Sequence, residues 1–129
     1  GRLAVELSIL GRHEVALIEF DRALEALDGD TPTLDLARAL LGQGEVLVAL
    51  DRPNEAAASF ERAVATATLD CGEPDLAAAV RVGLAELQRS LDVGDRGVRL
   101  AREAQQLLKD NGGRDELLAR AKVVLTQSN

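Results

Sequence analysis

The chain has 129 residues, enough for one self-supporting core but not for two ordinary domains. Its 22 acidic residues outnumber 15 basic ones, for a net charge of −7, and the basic residues are scattered singly, which excludes the cationic footprint of a nucleic-acid binder. With 47% hydrophobic residues it is too apolar for disorder, and with 44 Leu and Ala against two aromatics, Phe20 and Phe60, its supply favours closely packed helices over a pleated sheet: an all-α protein.

In chain order, an apolar pattern (Leu3, Val5, Leu7, Leu10) is already running at the start and predicts a helix over 2–10, closed by Gly11. That beginning, without a methionine, points to a fragment of a longer protein. A second helix is predicted over 12–27, closed near Gly29. The third, over 32–50, opens on Pro32 behind Thr31 as N-cap, and the fourth, over 53–69, opens on Pro53 behind Asp51-Arg52. Gly72 and Pro74 separate it from a fifth, over 74–91. A sixth is predicted over 95–110 between Gly94 and Gly112-Gly113, glycines suited to the left-handed closing position. The seventh, over 114–127, has Leu117, Leu118, Ala121, Val124 and Leu125 on one face and Arg114, Arg120, Lys122 and Gln127 elsewhere, as suits an element capping an exposed core.

These elements repeat. Glu14–Leu24 lies over Asn54–Val64 at a spacing of 40, matching Ala16 with Ala56, Phe20 with Phe60, Arg22 with Arg62 and Ala23 with Ala63. At a spacing of 41, Gly97, Ala101 and Ala104 fall on Ala56, Phe60 and Ala63. The intervening segments agree, with Leu41-Gly-Gln-Gly-Glu-Val46 lying over Val82-Gly-Leu-Ala-Glu-Leu87. Units of about 1–30, 31–71 and 72–112, each a helix pair, precede a capping helix at 113–129. Glycine inside a helix costs about 1 kcal/mol relative to alanine, so Gly42, Gly44 and Gly83 point to close approach of neighbouring elements or, as the alternative, to a hinge.

The order Leu40, Gly44, Leu47, a turn at Asp51, then Ala56, Phe60 and Ala63 resembles the tetratricopeptide repeat. The resemblance covers nearly the whole chain and implies an α-solenoid: a superhelix of antiparallel helix pairs, here three units plus the C-terminal cap. A period of 40–41, against the usual figure of roughly 34, is similar to that of the long-repeat members found in large bacterial regulators.

Little in the sequence supports catalysis. His13 is the only histidine, expected in an exposed Gly-Arg-His-Glu turn, and Cys71 is the only cysteine, so triads, histidine pairs and thiolate clusters are excluded. Gly42-Gln-Gly44 has no preceding strand and no following Gly-Lys-Ser or Gly-Lys-Thr, so it is not a phosphate loop. A single cysteine and the lack of an apolar run of about 18 residues fit a cytoplasmic protein with no membrane contact. No cofactor or metal is expected.

The resemblance instead implies a concave groove lined by the first helix of each pair. Its candidate residues are Val5, Ser8 and Ile9 in the first unit, Leu41, Glu45, Val48 and Ala49 in the second, and Val82, Glu86, Arg89 and Ser90 in the third. Such a groove, apolar and acidic, suits an amphipathic helix or a peptide with basic residues. Alternatively, Glu45 and Glu86 pair with Arg38, Arg81 or Arg89 and belong to the solvated surface. The function expected is a non-enzymatic protein–protein interaction module, a regulatory or scaffold part of a larger bacterial protein. The alternative is a structural spacer that self-associates through the solenoid ends into a homo-oligomer.

Overall fold

The computed structural model describes residues 2–27, 33–91, 95–112 and 115–127, with side chains described from residue 9 to residue 126 within those segments. Every regular element among them is a helix: α1 (Arg2–Leu27), α2 (Leu34–Ala49), α3 (Pro53–Thr66), α4 (Pro74–Ser90), α5 (Arg96–Asp110) and α6 (Asp115–Gln127). Pro53 and Pro74 occupy the first helical positions of α3 and α4, where a missing N–H leaves no bond unmade. Thr33 caps α2, its hydroxyl accepting from the Leu36 amide at 3.1 Å. The predicted cap at Thr31 and the closing glycines Gly29, Gly94 and Gly113 lie outside the described residues.

The first unit departs from expectation. The predicted break at Gly11 does not occur, and α1 runs unbroken through it, so residues 2–27 form one helix where a pair was expected. Glycine weakens a helix without ending it, and Gly11 is followed by Arg12-His13 instead of a capping residue or a proline. His13 therefore lies within α1 and not in a turn. The register of α1 on α2 is fixed by Phe20 beside Gly42 and by Gln43 donating to Asp21 at 2.8 Å. Seven residues beyond Gly42, α2 ends at Ala49. The antiparallel α1 thus overhangs it before about residue 13, which leaves Ile9 and Leu10 exposed.

The remaining helices form a two-layer array. Each packs on its neighbours in sequence, and in addition α2 packs on α4 and α4 on α6, whereas α3 and α5 are joined at their edges by an ion pair of Arg96 with Glu61. A three-residue connection between two helices packed along their lengths makes α2 and α3 antiparallel. Helix α4 is central and buried on most of its circumference, from Leu76 through Val80, Val82, Leu84 and Ala85 to Leu87. By contrast α5 buries one stripe, Gly97, Leu100, Ala101, Ala104 and Leu108, at the helical spacing of an amphipathic element. One core cluster joins Leu47 and Phe60 to Leu100, Leu117 and Val124. A second, around Leu36, Leu40, Ala63 and Val80, extends to Leu24 and Leu27 of α1.

The glycines within α2 and α4 receive aromatic rings. A Cβ on Gly42 would overlap the ring of Phe20, while one on Gly44 would lie 2.7 Å, and one on Gly83 2.9 Å, from Cε1 of Phe60. Phe60, 2% exposed, is thus wedged between α2 and α4. In the third unit Ala101 replaces the ring and α5 comes closer: a Cβ on Gly97 would stand 3.1 Å from the Ala85 carbonyl oxygen of α4.

Two polar devices complete the frame. Arg81, buried on α4, donates to the carbonyls of Ala77 (2.9 Å) and of Ala67 (2.8 Å), just past the end of α3, with its Nε 3.4 Å from Glu103 of α5. At the end of α2, Asp51 takes a left-handed φ of 58°. There the Asp51 amide bonds to Val48 O and the Arg52 amide to Leu47 O, the paired closure that usually places glycine at this position.

Candidate functional site

Between α2 and α4, beside α6, the array opens into a cleft of about 330 Å³. Leu41, Glu45 and Val48 line it from α2, Ala79, Gly83, Glu86, Leu87 and Ser90 from α4, Phe60 from α3 and Arg120 from α6. The cleft owes its shape to Phe60, whose ring fills the space that side chains at Gly44 and Gly83 would otherwise take. Its walls are apolar, and its charge comes from Glu45, Glu86 and Arg120.

Those three groups are not equivalent. Arg120 grips Glu86 with a two-pronged contact, Nε to Oε2 at 3.1 Å and Nη2 to Oε1 at 2.5 Å. The hydrogen bond to Glu86 is the largest influence on Arg120 and raises its pKa, with burial opposing. No hydrogen bond or ion pair to the Glu45 side chain forms among the described residues. Glu45 is exposed as a residue, yet loss of hydration in the cleft raises its pKa above the ordinary carboxylate value. Arg120 partly offsets that shift and Glu86 adds to it. Two carboxylates therefore share one guanidinium, and Glu45 has the smaller share.

Of the candidate groove residues, Leu41, Glu45, Val48, Glu86 and Ser90 come together in this cleft. Val82 does not: it is fully buried in the core beside Phe60 and Ala85. Helix α4 contributes Ala79, Gly83 and Leu87 alongside Glu86 and Ser90, so of the stripe that translating α2 by 41 residues selects, Val82 and Arg89 are left out of the cleft. Arg89 lines a shallower depression with Glu86, Ser90, Val123 and Val124. Ala49 is exposed at the end of α2 and Ile9 is exposed on the α1 overhang, and neither lines the cleft. The side chains of Val5 and Ser8 lie outside the described residues.

Two of the three alternative partners of the glutamates are engaged elsewhere. Arg38 pairs with Asp35 and Glu73, and Arg81 with Glu103. Sequence reasoning missed Arg120, which borders the apolar stripe of α6 beside Leu117 and Ala121 and so reaches α4 across 34 residues of chain. It also missed Phe60 as a wall. The glycines opposite Phe60 were the available signal.

No helix among the described residues is long and apolar enough to cross a membrane, and no group of three or more His, Cys, Asp or Glu there is placed to hold a metal ion. No protein-family model matches the chain, and neither does any curated protein or solved structure.

Proposed function

We propose that this chain is a non-enzymatic interaction module of the tetratricopeptide-like α-solenoid type, in which the cleft between α2 and α4 docks a segment of a partner protein. The observation that carries this reading is the cleft itself: apolar walls from Leu41, Val48, Phe60 and Leu87, with Glu45 at hand and no cation fully committed to it. The solenoid assignment rests on the 40–41 residue period and on the layering in which α2, α4 and α6 touch in succession. The segment that suits such a surface presents an aliphatic or aromatic side chain to the walls and an Arg or Lys to Glu45. Acidic partners are disfavoured by the excess of one carboxylate over guanidinium in the cleft. A regulatory or scaffold role within a larger bacterial cytoplasmic protein is part of this proposal, and it rests on the resemblance and on the single cysteine.

The test is fluorescence anisotropy with a set of labelled amphipathic peptides, identical in their apolar residues and carrying either Arg or Glu on the polar face. Binding of the Arg set, weakened by salt and lost in a Glu45→Lys variant with unchanged circular dichroism, is the expected result. Equal binding of both sets, or binding indifferent to Glu45→Lys, overturns the reading.

A further inference from the structure

Four glycines in α1, α2 and α4 lie inside helices, and three of them have a visible reason. Gly42, Gly44 and Gly83 each stand where a Cβ would collide with an aromatic ring. Gly11 has none: a Cβ there would meet nothing within 4 Å. Yet it bears the same weakening of its helix and sits beside two of the most exposed large apolar side chains described, Val15 at 56% and Ile18 at 52%. Gly11, Val15 and Ile18 follow one another at i, i+4 and i+7, so they form a single stripe along α1. It lies away from the side on which Leu17, Phe20, Leu24 and Leu27 pack toward the rest of the molecule. A shallow depression lined by Gly11, Arg12, Val15, Ala16 and Glu19 opens on one flank of this stripe.

We infer that this face of α1 binds α1 of a second copy of the chain, in an antiparallel pair centred on Val15. The stripe is self-complementary. With Val15 of the two copies facing each other, residue numbers on opposing helices sum to about 30, and a perpendicular two-fold axis brings like flanks together. On one flank Ile18 of each copy then falls on Gly11 of the other, a branched side chain on a position without one. On the opposite flank Arg12 of each copy falls beside Glu19 of the other, a matched charge pair formed twice. Neither Arg12 nor Glu19 has an ion-pair partner within its own copy among the described residues. Glycine at position 11 thus serves the approach of a second helix, as the other three serve the approach of a ring. The pairing leaves the cleft between α2 and α4 open, and it stands whether or not the cleft docks a partner.

The experiment is sedimentation equilibrium of the 129-residue chain over a wide concentration range, with circular dichroism as the control for folding. The expected mass rises with concentration toward two copies. Val15→Glu and Gly11→Leu hold it at one copy while helicity is retained, since both positions are exposed. Arg12→Glu and Glu19→Arg each weaken self-association at least tenfold. Mixing those two variants restores the dimer, because every facing pair in the mixed dimer is again of opposite charge. A single copy at all concentrations overturns the inference and leaves the face to a different polypeptide. So does a dimer that persists through Val15→Glu, or one that ignores both charge reversals.

Discussion

Replacing Gly44 with alanine tests the ring-and-glycine interlock that shapes the cleft. The added Cβ would lie 2.7, 2.8 and 2.9 Å from Cε1, Cδ1 and Cζ of Phe60, against about 3.5–4.0 Å for carbons in comfortable contact. The ring must retreat by about 0.8 Å or more. It has little room, since it is 2% exposed and abuts Gly83 on the facing helix. Overpacking of this kind costs about 1–3 kcal/mol, and the better helix propensity of alanine returns about 1 kcal/mol. Gly44→Ala alone should therefore lower stability by about 1 kcal/mol. The steric part appears undiluted as the coupling in a cycle with Phe60→Leu: about 1–3 kcal/mol, with Gly44→Ala turning neutral or stabilising once the ring is gone. Urea unfolding of the four chains followed by far-ultraviolet circular dichroism supplies the numbers. Gly11→Ala, measured at dilution, is the internal contrast: with nothing within 4 Å it should gain up to about 1 kcal/mol. A coupling below about 0.5 kcal/mol between positions 44 and 60 would refute the interlock.

Arg81→Leu should cost about 2–4 kcal/mol in the same unfolding assay, because it strips the Ala67 carbonyl of its donor and leaves Glu103 without its cation. Glu103→Gln should cost less than about 1 kcal/mol, since Glu103 is 43% exposed and the pair is screened from its side. Asp51→Gly should stabilise by about 0.5–1 kcal/mol by relieving a left-handed φ of 58°, and a loss would show that the Asp51 side chain contributes more than its strain removes. Glu45→Gln carries a pH signature. A carboxyl raised in the folded state favours folding below its unfolded pKa, and that contribution is lost as pH rises through the folded value. The variant should thus be slightly more stable than the parent at neutral pH, by about 0.5 kcal/mol or less given the exposure of Glu45, and the gap should close in acid. A gap that widens on acidification would contradict the sign of the shift.

What was legible in the sequence was the element inventory from α2 onward and the period that relates its members. Apolar spacing specifies which residues of a segment are to be buried, and Pro53 and Pro74 mark starts because their rings fit only there. Leu41, Glu45, Val48, Glu86 and Ser90, which the structure brings together in one cleft, are marked by the resemblance to the tetratricopeptide repeat and not by the period itself. Continuity at Gly11 was not legible, because a glycine that ends a helix and one that a helix runs through look alike in the sequence. Nor was the fate of Val82, which shares a repeat position with Leu41 but belongs to a helix packed on several sides. Arg120 and Glu86 stand 34 residues apart, off the repeat spacing, and only the seating of α6 against α4 brings them to 3.1 Å. The sequence by itself determined what each segment must hide. The tertiary structure alone decided what it hides against, since that depends on distances between helices that no single periodicity encodes.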